Sequence, residues 1–243
     1  MKGIIGGGRS IYGQALGIIV TDSRFPRIPG DIGNATTWDF PVAYRVVRGI
    51  HPRRIVRGEA PKDLDAFIEA AIELEKEGVR AITTSCGFLA LFQKELSACV
   101  GVPLFTSSLM QVPLVHRLLR SDQKVGIITI DAAALTERHL AAVGADGTPA
   151  AIVGTEGGRS FTSTFVDNEG ELNTEEAEAD LVSAARTLTA GHPEVGAIVL
   201  ECTNMPPYAR AVQDATGLPV FDIFTLTNFV YHAVVRKDFK GFM

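Results

Sequence analysis

Two short apolar runs, Ala81-Ile82-Thr83-Thr84 and Ala197-Ile198-Val199-Leu200, each lead straight to a cysteine, Cys86 and Cys202. Small or polar residues follow each thiol, and then a helical pattern. The cysteines lie 116 positions apart (202 − 86), in contexts that read as two copies of one unit. A buried strand that breaks at a polar turn and feeds a helix is the repeating element of an α/β sheet. In open sheets of this kind ligands bind beyond the carboxyl ends of the strands. Two thiols delivered to such edges from two halves of a chain can face each other across a cleft.

The rest of the chain keeps the same alternation. Strand patterns occupy residues 15–20, 102–105, 124–130, 150–153 and 218–221. Helical patterns occupy 61–78, 109–119, 132–143, a stretch opened by Asn173 and Glu176, one entered through Pro206 and Pro207, and a last one ending near Arg236. The clearest helix runs from Pro61 to Gly78, with Leu64, Phe67, Ile68, Ala71 and Ile72 on one face. The expected fold is α/β: two pseudo-symmetric lobes, each a mainly parallel sheet flanked by helices, with right-handed crossovers. The division is placed at residues 1–108 plus 218–243 for the first lobe and 109–217 for the second.

Four stretches resist this alternation. Gly6-Gly7-Gly8-Arg9-Ser10 precedes the first strand, which makes it an arm rather than a nucleotide loop. Residues 21–40, rich in proline and glycine, form a long loop that Trp38, Phe25 and Phe40 pack down, either as a lid or as a structural flap. Arg45, Arg48, Arg53, Arg54 and Arg57 surround His51; such a run is ordinarily a solvated surface, or else a positive rim for a carboxylate or a subunit interface. Residues 154–171 read as a loop or small hairpin.

Composition narrows the setting. With 243 residues, 46% hydrophobic and 21% charged, the chain can bury a sizeable core. Its formal charge of −5 argues against nucleic acid or an anionic membrane as partner. Three cysteines are too few for a secreted disulfide framework. Residues 1–8 lack a signal-peptide core and no run is long enough to span a bilayer, so a soluble, cytoplasmic protein is expected. A homodimer or higher homo-oligomer is left open.

A thiol at a helix N-terminus gains from the backbone dipole and nearby amides, which favour thiolate. One thiolate can abstract a proton from a carbon acid while a second, protonated thiol delivers one to the opposite face. Amides after Cys86 and Cys202, and the Thr203 hydroxyl, can hold the enolate-like charge. Cys99, near a helix end, reads as a small core residue. His51, His116, His139, His192 and His232 show no metal-ligand spacing, and no Cys-x-x-Cys is present.

These residues resemble the aspartate/glutamate/hydantoin racemase superfamily. Leu200-Glu201-Cys202-Thr203-Asn204-Met205-Pro206 is similar to its second-cysteine motif and Thr83-Thr84-Ser85-Cys86-Gly87 to its first. Thr21-Asp22-Ser23 and Gly126-Ile127-Ile128-Thr129 resemble its Asp-Ser turn and mid-chain strand. The resemblance implies a site between the lobes, no metal or pyridoxal cofactor, and Cys86 and Cys202 as the acid/base pair. Gly87, Phe88, Thr129, Thr203 and Asn204 would then contact the substrate carboxylate, with Asp22 and Ser23 near the reacting centre. Gly87-Phe88 stands where glutamate racemases carry Asn-Thr, and Asn204 where they carry histidine, which points away from glutamate itself.

The expected function is cofactor-independent racemisation or epimerisation of a small-molecule carboxylate or hydantoin-like carbon acid. The alternatives are a maleate-type cis–trans isomerase with a cysteine nucleophile, and a non-enzymatic dicarboxylate-binding protein. Decarboxylation of the arylmalonate type needs only one protonating thiol.

Overall fold

The computed structural model describes residues 3–58 and 60–243. Met1 and Lys2, at the head of the expected N-terminal arm, lie outside the described residues. The first lobe contains β1 (Leu16–Thr21), β2 (Val42–Val47), α1 (Pro52–Val56), α2 (Leu64–Glu77), β3 (Ala81–Thr84), α3 (Gln93–Ala98) and β4 (Leu104–Phe105). After α4 (Val112–Leu118), the second contains β5 (Lys124–Thr129), α5 (Glu137–Ala142), β6 (Ala150–Gly154), α6 (Phe161–Val166), α7 (Thr174–Gly191), β7 (Val195–Leu200), α8 (Ala209–Thr216) and β8 (Val220–Phe221). The chain closes with α9 (Ile223–Val234).

Each lobe is a four-stranded parallel sheet, ordered β2-β1-β3-β4 and β6-β5-β7-β8. The two orders are the same, so β3 and β7, which carry the cysteines, hold equivalent central places. The equivalence extends to single residues. Gly17 pairs in register with Ile82, and Gly126 with Ile198; each cysteine lies four residues beyond its isoleucine. Both glycines are required by close packing: a side chain at Gly17 would meet Leu74 of α2, and one at Gly126 would meet Leu188 of α7. Leu74 and Leu188 are fully buried there. At the same register the Ser85 amide donates to the Ile19 carbonyl (2.8 Å) and the Glu201 amide to the Ile128 carbonyl (2.8 Å). Ser85 and Glu201 are therefore counterparts.

The expected strands and helices are present, with differences at four places. The run around Arg45 is not merely surface: residues 42–47 form β2, an edge strand whose Arg45 reaches Glu73 and Glu77 on α2. Helix 61–78 begins at Leu64, after a 3-10 turn over Ala60–Asp63. Helix 132–143 shrinks to Glu137–Ala142, because the Asp131 carboxylate accepts from the Ala134 amide (3.0 Å) and Thr136 caps the helix through His139. Residues 154–171 contain α6 rather than a hairpin.

The strand at 220–221 pairs with β7 and so belongs to the second sheet, which differs from the expected placement of residues 218–243 in the first lobe. Only α9 returns: Ile223 and Leu226 join Leu16, Ile18 and Trp38 in a core beneath the first sheet. Trp38 stacks with Phe40 and with Phe224 of α9, which pins the far end of the 21–40 loop. No described helix is long and apolar enough to cross a membrane.

Candidate active site

Cys86 and Cys202 lie two residues beyond the central strands β3 and β7, and both line one enclosed cavity of about 20 Å³ between the lobes. Their exposures are 9% and 8%. Cys86 takes extended backbone (φ −149°, ψ 115°) immediately before a 3-10 turn, so its thiol meets the amides of Phe88 and Leu89. Cys202 meets the Asn204 amide, and its Sγ lies 3.5 Å from Asn204 Oδ1.

Burial dominates the electrostatics. It pushes the Cys86 thiol up to about 12, aided by the nearby Glu201 charge and opposed by the two amides. It also raises Cys202 well above the usual thiol range, with Glu201 and Cys86 adding to the effect. Apolar surroundings disfavour the thiolate, and here they outweigh the turn amides. Both sulfurs therefore rest as thiols, in contrast to the near-neutral thiolate expected from the helix-terminus argument.

Glu201 is the residue that motif reasoning passed over. It is fully buried. Thr129 Oγ1 donates to its Oε2 at 2.8 Å, and the Ile130 amide also contacts the carboxyl. Its Oε1 is buried without a hydrogen-bond partner. Burial raises this carboxyl to about 7, against the bonds from Thr129 and Ile130. Gly87 makes room for it: a side chain there would collide with Glu201 Oε1 and with the Glu201 carbonyl. The departure from Asn-Thr after the first cysteine thus has a steric cause on the opposite lobe.

A polar chain reaches the second cysteine from the 21–40 loop. Ser23 Oγ accepts from Arg27 (3.0 Å), whose guanidinium pairs with buried Asp31 (2.7 Å). Asp31 Oδ2 accepts from Asn204 Nδ2 at 2.6 Å. Arg27 also lies 4.7 Å over the Phe25 ring, and Phe25 meets Phe165 of the cavity wall edge-on at 4.8 Å.

Gly87, Phe88, Thr203 and Asn204 line the cavity with the two cysteines. Thr203 uses its hydroxyl on the Ser85 carbonyl (2.6 Å), and Thr129 is buried behind Glu201 rather than lining the space. Ser23 joins only through Arg27. Asp22 turns away: its carboxylate accepts from the Gly49 amide (2.8 Å) and its carbonyl meets His51 Nδ1 (2.6 Å). Phe88 packs edge-on against His139, which burial lowers to about 4 and so keeps neutral.

Pro52 and Val56 of α1 and Phe165 and Val166 of α6 close the cavity from opposite lobes. Outside them lies a basin of about 560 Å³ lined by Arg24, His51, Arg53, Arg54 and Arg57. Two ion pairs cross between the lobes here, Arg57–Asp131 (2.8 Å) and Arg53–Asp167 (3.3 Å). Part of the arginine run thus edges this basin together with Asp167, with Arg53 and Arg57 paired to aspartates of the other lobe. No group of three His, Cys, Asp or Glu among the described residues could hold a metal ion.

Two like lobes, each carrying a cysteine from its central strand into one buried space, define a pseudo-symmetric two-lobed α/β protein. The chain belongs to the Asp/Glu/hydantoin racemase family, an enzyme family whose model matches residues 108–227. It is 32% identical over 239 residues to a dimethylsulfoniopropionate lyase of Durusdinium sp. clade D, covering 96% of this chain and 79% of that one. It is 34% identical over 224 residues to dimethylsulfoniopropionate lyase 3 of Emiliania huxleyi, covering 88% of this chain but 58% of that one. The chain thus spans little more than half of that longer relative. A solved arylmalonate decarboxylase shares the fold, with TM-score 0.57 and 16% identity over 90% of this chain and 91% of that one.

Proposed function

We propose that this protein is a lyase that eliminates dimethyl sulfide from a 3-(dimethylsulfonio)propanoate-type substrate. The observation that carries this reading is the reach of the likeness to the Durusdinium lyase. It covers 96% of the chain, and so takes in both halves that meet at Cys86 and Cys202. Elimination and racemisation begin with the same step, removal of a proton from the carbon beside a carboxylate, and therefore ask the same of the site.

Two amides favour thiolate at Cys86 against one at Cys202, which makes Cys86 the base. Cys86 rests as a thiol and first gives up its proton to solvent as the site opens; the thiolate so formed then takes the α-proton. The C–H electron pair becomes the new double bond, the β-carbon–sulfur bond breaks, and that pair leaves on sulfur as neutral dimethyl sulfide. The other products are acrylate and a protonated Cys86. The cavity in its closed form is too small for any such substrate, so α1 and α6 must part first, and the arginine-rich rim draws the carboxylate toward that gap.

A second reading, racemisation of a carbon acid, is favoured by the matched placement of two thiols where elimination uses one. Headspace gas chromatography of dimethyl sulfide, together with proton NMR of single-enantiomer amino acids and hydantoins in deuterated water, separates them. Elimination is expected to yield dimethyl sulfide and acrylate. Cys86→Ser should abolish release, while Cys202→Ser keeps part of it. Deuterium exchange at a stereocentre that needs both cysteines, with no dimethyl sulfide formed, would instead establish the racemase.

A further inference from the structure

The backbones of the two halves of the site match register for register, and they differ in the residue that precedes each cysteine. Where the first lobe carries the small Ser85, the second carries Glu201. Its carboxyl is held on one side only: Thr129 fixes Oε2, and Oε1 has no donor although it is wholly buried. An unpaired buried carboxylate oxygen is costly to keep. Space for it is nonetheless kept open by Gly87, where any side chain would fill it.

The surroundings say what could complete it. Besides the thiols, the cavity presents Phe88, Phe165, Val56, Val166 and Ile130. Thr203 Oγ1 and the Asn204 amide are already committed, to Ser85 and to Asp31. The Arg27 charge is spent on Asp31. A primary ammonium would bring three N–H donors into a space with one free carboxylate oxygen. A methylated onium brings none: it needs a counter-charge, apolar contact and aromatic faces, the combination that recognises quaternary ammonium groups elsewhere. We infer that Glu201 is the specificity-determining counter-ion for a methylated onium group, a dimethylsulfonio or trimethylammonio head on a short carboxylate.

This inference rests on the elimination reading for its natural ligand, but it can be tested by binding alone. The probes are 3-(trimethylammonio)propanoate and 4,4-dimethylpentanoate, its isostere with an uncharged head, titrated calorimetrically against the full chain. The wild type should prefer the cation. Glu201→Gln should weaken the cation by about tenfold or more, the size of a lost charge-assisted contact, and leave the isostere within about twofold. Glu201→Met, of similar length and apolar, should reverse the preference, and thermal melting confirms that both variants fold. A wild type that binds the isostere as tightly as the cation would overturn the inference, as would a Glu201→Gln chain that weakens both probes equally or neither. Glu201-dependent preference without dimethyl sulfide release would remove the elimination reading and leave this one standing. Release with no loss of preference in Glu201→Gln would do the reverse.

Discussion

Asn204 Nδ2 donates a 2.6 Å hydrogen bond to Asp31 Oδ2, tying the turn after the second cysteine to a loop 173 residues earlier in the chain. Asp31 also holds Arg27 and accepts from the Gly33 amide at 2.7 Å. Asp31→Ala would leave the Arg27 guanidinium, whose side chain is 13% exposed, without its carboxylate. The expected cost is about 3 kcal/mol, as for other buried pairs broken on one side. Urea unfolding should show it, and activity should fall further than stability alone explains, because Asn204 sets the position of Cys202. Asp31→Asn, which keeps an acceptor, should be milder on both counts.

Gly87→Ala tests the steric tie between the lobes. The added methyl meets both the Glu201 carboxyl and its main-chain carbonyl, and the second cannot swing away. Overpacking of this kind typically costs about 1–3 kcal/mol. The expected result is a lowered melting temperature with activity reduced at least tenfold, about 1.4 kcal/mol of barrier. A variant of wild-type stability and activity would mean that the lobes yield freely at this point.

The buried carboxyl also leaves a signature in stability. Burial lifts Glu201 from 4.5 to about 7, so the folded chain holds this proton more tightly than the unfolded chain does. The stabilising contribution is full below pH about 4.5 and is lost as pH rises through about 7. Asp222, raised by burial to about 6, has the same sign, whereas neutral His139, lowered to about 4, has the opposite one. The informative quantity is therefore the difference between Glu201→Gln and wild type. Relative to wild type, the variant should gain on the order of 3 kcal/mol between pH 4.5 and 7.5. Denaturant titrations at five pH values measure it, and a difference independent of pH would contradict it.

The two ion pairs over the cavity should not count equally. Arg53–Asp167 joins side chains 66% and 46% exposed, and Arg53→Met should change stability by less than about 0.5 kcal/mol. In Arg57–Asp131 the acid is only 8% exposed. Arg57→Met should loosen α1 and raise the rate at which N-ethylmaleimide labels Cys86 and Cys202, read by mass spectrometry. Equal labelling rates in the two variants would show that neither pair restrains the wall.

Much of the architecture was legible because each sheet is buried on both faces and its central strands are short apolar runs. The ends of those runs fixed Cys86 and Cys202. β2 was missed because Arg45 interrupts its apolar residues; the partners that accommodate that charge, Glu73 and Glu77, sit on a different element. Arg27 and Asp31 lay in a stretch whose local signals are all turn signals, and their meaning comes from Asn204, far off in sequence. Glu201 did carry a signal, a lone acid at the end of the run Ala197-Ile198-Val199-Leu200. Only the register between the two lobes shows that its counterpart is Ser85.

Both sulfurs are kept as neutral thiols by the burial that encloses the cavity between the lobes. Oxidants and electrophiles attack the thiolate form, so a pair held in this way is poorly reactive between turnovers. The protein thus carries two potential nucleophiles in a dormant state, and a positive charge arriving beside Glu201 would be the event that wakes them.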